Sequence, residues 1–185
     1  MLELYIGNGK GKSTAAAGLA LRAVGNDIPV IYTQFMKDGS SGEMTGFSLL
    51  PLVSIFTPDH FFGFSRTLTP DQRQILKNDY MKLLLQISDY LKESKKEPDP
   101  EETGFSEKDI FQVCILDEAL SAEAAGLLPL ESLLSFIKET PSSVELVLTG
   151  RSAKEEILSL ADYISDIQAI RHPYPVIKAR KGIEY

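Results

Sequence analysis

The chain has 185 residues, 43% of them hydrophobic and 24% charged, with a formal net charge of −7. That length suits one domain, 1–185, with a full core. The acidic balance excludes wholesale nucleic-acid binding, because a polyanion is repelled unless a local basic patch receives it. The basic concentrations are Lys10 with Lys12, and the run KARK at 178–181.

A single cysteine, Cys114, excludes an internal disulfide and suits a reducing compartment. No apolar run approaches membrane-spanning length, and the N-terminus opens into a strand rather than a signal peptide. A cytoplasmic location is therefore expected, with no membrane partner. In chain order, LELYI (2–6) reads as a buried strand feeding a glycine-rich loop. STAAAGLALRAVG (13–25) follows as a helix that Gly25 can terminate. PVIYTQF (29–35) and LVSIF (52–56) are the second and third strands.

A helix over 69–94 starts with Thr69 as N-cap and Pro70 at the first helical position. Its apolar stripe is Ile75, Tyr80, Leu83, Leu84, Ile87 and Leu91. Residues 93–109, ESKKEPDPEETGFSEKD, are charged and poor in apolar side chains, which predicts a long solvated, flexible loop. IFQVCILDEA (110–119) is a buried strand ending in two carboxylates. A helix near 129–139, a strand at 144–150, a helix near 153–160 and a strand near 163–170 complete the chain. Strands alternating with helices predict an α/β fold, a three-layer α/β/α arrangement around a mostly parallel sheet, and the glycine-rich loop between the first strand and its helix makes that arrangement P-loop NTPase-like.

The glycine loop, LYIGNGKGKSTAA (4–16), departs from the usual phosphate-binding pattern G-x-x-x-x-G-K-[ST]. Three residues, not four, separate Gly7 from Gly11, and Ile6 stands where the first glycine belongs. Strand, loop and helix nevertheless supply the required context. Glycines let backbone N–H groups form an anion nest, and the helix N-terminus adds partial positive charge. Lys12 supplies a full charge, and the Ser13 hydroxyl is a hard ligand suited to Mg²⁺. Asp117 and Glu118 end a strand at the sheet edge that carries the loop if the strands are parallel. They read as Mg²⁺ carboxylates or as acids capping the next helix. Adjacent residues point apart, so the two need not share one task.

LTGR (148–151) is another strand end, from which Arg151 either reaches phosphates or a ribose, or stands exposed in a helix first turn. DHFFGFSR (59–66) carries Phe61, Phe62 and Phe64 between a strand and a helix. The rings form either core packing or a wall for a large planar ligand. His60 reads as a surface residue and Cys114 as core.

Together these segments resemble the corrinoid adenosyltransferases of the CobA/CobO/BtuR family. The resemblance runs through GNGKGKSTAA with GLALRAVG behind it, QFMK closing the second strand, GE at 42–43 and LDEAL. It continues through GLL (126–128), VLTGR, LADYISD and the terminal HPY…IKARKGIEY. It covers almost the whole chain and includes the short loop. It implies that ATP lies reversed relative to ordinary P-loop NTPases. Cobalt(I) of cob(I)alamin or a related corrinoid then attacks the ribose 5′ carbon, and triphosphate leaves whole.

By that resemblance Gly7, Asn8, Gly9, Lys10, Gly11, Lys12, Ser13 and Thr14 hold the triphosphate, with Arg151 also on ATP. Lys12, Lys10 and Glu118 are the catalytic residues it implies: the lysines stabilise the departing charge, and Glu118 acts through the Mg²⁺ it ligates. Ser13 and Glu118 ligate Mg²⁺, with Asp117 in support. Arg22 matches a family arginine that touches ATP, although nine residues beyond Ser13 is roughly 13 Å of helix. The 59–66 loop faces the corrinoid, where the family removes the lower axial ligand so that cobalt(II) is more easily reduced.

A homodimer and a reductant such as a flavoprotein are implied as partners. Three departures from the family pattern bear on corrinoid grip more than on ATP grip. There is no N-terminal arm, 93–109 is long, and only Pro175 and Val176 separate HPY from IKAR. A P-loop ATPase or kinase, and a non-catalytic paralogue that binds ATP or corrinoid, are the alternatives. Products separate the enzymes: triphosphate with adenosylated corrinoid, or ADP with phosphate.

Overall fold

A computed structural model describes residues 1–63, 65–93, 112–171 and 180–183. Its strands are β1 (Leu2–Ile6), β2 (Val30–Gln34), β3 (Val53–Phe56), β4 (Gln112–Asp117), β5 (Val144–Thr149) and β6 (Tyr163–Asp166). Its helices are α1 (Lys12–Val24), α2 (Gly42–Phe47), α3 (Pro70–Glu93), α4 (Ala119–Ala124), α5 (Leu130–Glu139) and α6 (Glu155–Leu158), with one 3₁₀ turn at Ser65–Thr67. The six strands form one sheet in the order β3-β2-β4-β5-β1-β6. Every pairing is parallel, so the sheet is wholly rather than mostly parallel among the described residues.

Parallel strands need both faces covered, and the strands alternate accordingly. Tyr32, Val113, Ile115 and Val147 face Ala16, Ala20 and Ala23 of α1 with Met44 and Phe47 of α2. Ile31, Cys114, Leu116, Leu146 and Leu148 face α3, α4 and α5 in a larger cluster. Three buried alanines at i, i+4 and i+7 give α1 a flat face that can lie close to the sheet. β2, β4 and β5 are buried throughout, whereas edge strand β6 is exposed throughout. Cys114 is fully buried, as its core reading expected, and burial pushes its thiol far up.

The helix ends differ from expectation in one respect. Gly25 sits in right-handed backbone; the left-handed stop falls at Asp27, φ 59°. Asp27 N–H donates to Val24 O and Ile28 N–H to Ala23 O, the two bonds of a Schellman close. At the start of α3, Thr69 and Pro70 take their expected places. Gln72 N–H donates to Thr69 Oγ1 (3.3 Å), and Thr69 N–H donates to Gln72 Oε1 (2.9 Å), a reciprocal capping box.

Leu76, not Ile75, opens the buried stripe of α3; Ile75 is exposed. The last strand ends at Asp166, four residues short of expectation. The six-residue helices α2 and α4 were not anticipated, being too short to show a helical period. The expected loop at 93–109 lies, apart from Glu93, outside the described residues, as do Phe64 and most of the terminal HPY…IKARKGIEY match.

Candidate active site

All six strands point the same way, so the loop after β1, the carboxylates after β4, Arg151 after β5 and the loop after β3 share one edge. The glycine loop is suspended from its neighbours. Gly7 N–H donates to Arg151 O (3.0 Å), Gly9 N–H to Ile167 O (2.7 Å), and Ala169 N–H to Asn8 Oδ1 (2.9 Å). Gly7 has φ 111°, and a Cβ at Gly7 or Gly9 would run into the Ile167 backbone. This close approach fits a loop one residue shorter than usual. Gly11 caps α1 at φ 122° with no side-chain bond, and the first intrahelical N–H is Ala15 to Gly11 O. The N–H groups of Lys12, Ser13 and Thr14 therefore stand ahead of the helical ladder, as an anion site requires.

Lys12 Nζ donates to Gly9 O (2.8 Å), folding its charge over the loop. Burial pulls this ammonium below the ordinary lysine range. Glu118 pushes back, Arg151 adds to the lowering, and Asp117 opposes it. Those influences bring Lys12, Glu118, Arg151 and Asp117 into one electrostatic neighbourhood. Arg151 lies four residues before α6, so it is a loop arginine and not one in a helix first turn. It follows Gly150, where a Cβ would press on Leu120 and Ser121 of α4.

Asp117 and Glu118 do diverge. Asp117 is fully buried and accepts three hydrogen bonds: from Thr149 Oγ1 at 2.7 Å, Lys37 Nζ at 2.7 Å and Gln34 Nε2 at 3.3 Å. Gln34 is held in turn by Ser41 Oγ (2.9 Å). Glu118 takes left-handed backbone, φ 62°, its N–H donates to Thr149 Oγ1 (2.9 Å), and its side chain stays half-buried. The strand register prepares this cluster: Gln34 pairs with Asp117 across β2 and β4, and Thr149 lies one step beyond the Leu116–Leu148 pair. Lys37 Nζ also lies 3.4 Å from Ser13 Oγ.

The donor set suits a hard divalent ion. A hydroxyl and a carboxylate already converge on one cationic nitrogen, and Glu118 stands beside them. No group of three or more His, Cys, Asp or Glu forms a closed metal cage among the described residues. Mg²⁺ takes one or two carboxylates and completes its shell with phosphate and water.

Lys10, Thr14 and Arg22 are the remaining expected ATP residues. Lys10 and Thr14 are exposed on the loop and the first turn. Arg22 is exposed in the last turn of α1, about 15 Å of helix from Lys12. It acts on the Tyr5 phenol, whose pKa it lowers against a larger upward push from burial.

Within the aromatic loop, Phe61 is 43% exposed, whereas Phe62 packs against the larger core and stacks on His60 at 5.9 Å. Core packing thus holds for Phe62, while Phe61 stays outside the core. The loop is pinned to α3: buried Asp79 accepts from Asp59 N–H (3.1 Å) and His60 N–H (2.9 Å). Arg73 donates to Ser65 O (2.9 Å) and Ala125 O (3.0 Å), and Lys82 pairs with Asp59 at 2.7 Å.

Sequence reasoning assigned no role to Lys37, Gln34, Thr149 or Asp79. The available signals were polar residues at the ends of buried strands and an aspartate on the apolar stripe of α3.

The family model described as ATP:corrinoid adenosyltransferase BtuR/CobO/CobP matches residues 1–185. A corrinoid adenosyltransferase of Pseudomonas aeruginosa is 31% identical, over the whole chain and 83% of its own length. One of Escherichia coli K12 is 29% identical, over the whole chain and 85% of its length. Among solved structures, the cytoplasmic domain of the Thermomonospora curvata type VII secretion ATPase EccC aligns with 94% of this chain and 20% of its own, with a TM-score of 0.53 at 18% identity. That likeness shows a shared P-loop NTPase-like fold and nothing finer. With the short glycine loop, the paired acids and the loop arginine on one edge, and the family model matching from end to end, the chain belongs to the ATP:corrinoid adenosyltransferase family.

Proposed function

We infer that the protein transfers the 5′-deoxyadenosyl group of ATP to a cobalt(I) corrinoid, cob(I)alamin or a relative, and releases triphosphate. The observation that carries this reading is the family match over residues 1–185, with the short loop and its lysine intact. The cobalt–carbon bond forms with the electron pair of cobalt(I). The bond between C5′ and the triphosphate oxygen breaks, and its pair leaves with triphosphate. No side chain need move a proton, because the corrinoid is itself the nucleophile.

The protein's task is to position C5′ and to stabilise charge on the leaving group. Lys12, Lys10 and the N–H groups of Lys12, Ser13 and Thr14 supply that stabilisation in this reading, with Arg151 near the same nucleotide. ATP lies reversed, its triphosphate in the loop and C5′ turned toward the acceptor. Ser13, Asp117 and Glu118 would hold Mg²⁺, which adds positive charge to the departing triphosphate when bound. Phe61, with its free face, is the candidate for corrinoid contact; Phe62 sets the base of the loop.

The cobalt(I) acceptor calls for an electron donor such as a flavoprotein, and a homodimer in the cytoplasm completes the reading. Incubation with chemically reduced cob(I)alamin and Mg-ATP tests it. The expected result is the spectrum of an adenosylated corrinoid growing with enzyme concentration. A spectrum unchanged from the protein-free control would refute the activity.

A further inference from the structure

Lys37 stands between the hydroxyl and the carboxylate to which the reading above gives the metal ion, and its contacts fix it there. Its ammonium is 2.7 Å from Asp117 Oδ2 and 3.4 Å from Ser13 Oγ, so one positive charge links the loop hydroxyl to the buried carboxylate. Asp117 is fully buried, while Lys37 is 30% exposed. The carboxylate cannot turn to solvent; the ammonium can. Just ahead of Lys37, Met36 takes left-handed backbone, φ 57°, uncommon for a side-chain-bearing residue. Its N–H donates to Tyr80 Oη of α3 (3.0 Å), and Phe35 N–H donates to Asp117 O (2.8 Å). The end of β2 is thus tied to β4 and α3 at the point where Lys37 departs.

We propose that Lys37 is the resident counter-cation of this site, occupying the divalent-ion position between Ser13 and Asp117 while the protein is free of nucleotide. The inference deepens the reading above and rests on its placement of the metal at Ser13 and Asp117. The physical reason is charge. A buried carboxylate without a cation is costly, so the nucleotide-free site needs one. An ammonium supplies it in place, yet repels any second cation approaching the same oxygens. Bare metal is excluded. A nucleotide brings several negative charges, which neutralise an arriving metal and offer the displaced ammonium new partners. Metal therefore enters with ATP and not before it, and Lys37 remains beside the triphosphate as a further positive charge.

Mn²⁺, read by its electron paramagnetic resonance signal, is the probe, with no nucleotide or corrinoid present. The wild-type chain is expected to leave Mn²⁺ essentially free up to millimolar concentration. Micromolar Mn²⁺ binding to the nucleotide-free wild type overturns the proposal whatever any variant does. Lys37→Gln and Lys37→Met are expected to bind Mn²⁺ at least tenfold more tightly than wild type, while Lys37→Arg, which keeps the charge, excludes it. An affinity unchanged in folded Lys37→Gln or Lys37→Met also overturns the proposal. A merely structural lesion would not create metal affinity. The two readings fail separately. Adenosyl transfer with no Mn²⁺ gain in the variants removes the counter-cation role alone. A Mn²⁺ gain with no adenosylated product leaves the cation site and removes the activity.

Discussion

Two carboxylates are buried at opposite ends of the same sheet, and their surroundings have little in common. Asp117, at the carboxyl edge, accepts from a hydroxyl, an ammonium and an amide. Glu145 is 5% exposed near the start of β5, and neither oxygen accepts a hydrogen bond among the described residues. The nearest cation is the Met1 amino group at 3.7 Å. Burial pushes the Glu145 carboxyl up; the amino group opposes this, and Glu3 and Asp162 reinforce it. Burial is common to the two; what sets Asp117 apart from Glu145 is the set of donors and the close cation gathered about it from three different segments.

The largest test of that contrast lies on the cationic side of the carboxyl edge. Lys12→Ala is expected to lower kcat/KM for ATP about 10²- to 10³-fold, the usual cost of losing one donor to developing negative charge. Because burial lowers the Lys12 pKa, the alkaline fall of kcat/KM should begin below the pH of an ordinary lysine. Lys12→Arg should carry that inflection out of range. Next, Asp117→Asn removes the negative charge but not its neighbours. It should cost about 3 kcal/mol in a denaturant melt, as breaking a buried ion pair does, and raise the Mg²⁺ requirement.

Gly150→Ala should cost about 1–3 kcal/mol through overpacking against Leu120 and Ser121, and should impair ATP binding by shifting Arg151. Phe61→Ala should leave ATP affinity unchanged and raise the KM for corrinoid several-fold; the same change at Phe62 should instead lower the melting temperature. Smallest, and opposite in sign to Asp117→Asn, Glu145→Gln should stabilise by about 1 kcal/mol at pH 7.

The sign for Glu145 follows from its raised pKa. The protonated form favours the fold, so its contribution is complete below the ordinary carboxylate range and is lost as pH rises through the folded value. Stability of Glu145→Gln relative to wild type should therefore grow with pH across that window. A flat difference would mean that the Met1 ammonium offsets the burial of Glu145.

The parts legible in the sequence were those written locally. The first five strand runs, the Ala-rich helix and the Thr69 cap each depend on neighbours within a few residues, and they appear close to where they were expected. What escaped was non-local. Nothing near Lys37 reveals that Asp117, 80 positions away, will accept its ammonium. The same holds for Thr149, which joins the Asp117 side chain to the Glu118 backbone from a different strand. The DHFFGFSR cluster could not be divided from sequence, because Phe61 and Phe62 differ only in which of them α3 and the core receive.

The central claim is that the compact loop holds three linked phosphates as a leaving group, with carbon as the centre attacked. Phosphorus-31 NMR of the products formed from Mg-ATP and cob(I)alamin tests it most directly. Intact triphosphate, equal in amount to the adenosylated corrinoid, is the predicted result. ADP with orthophosphate, appearing at the same rate with or without corrinoid, would contradict it.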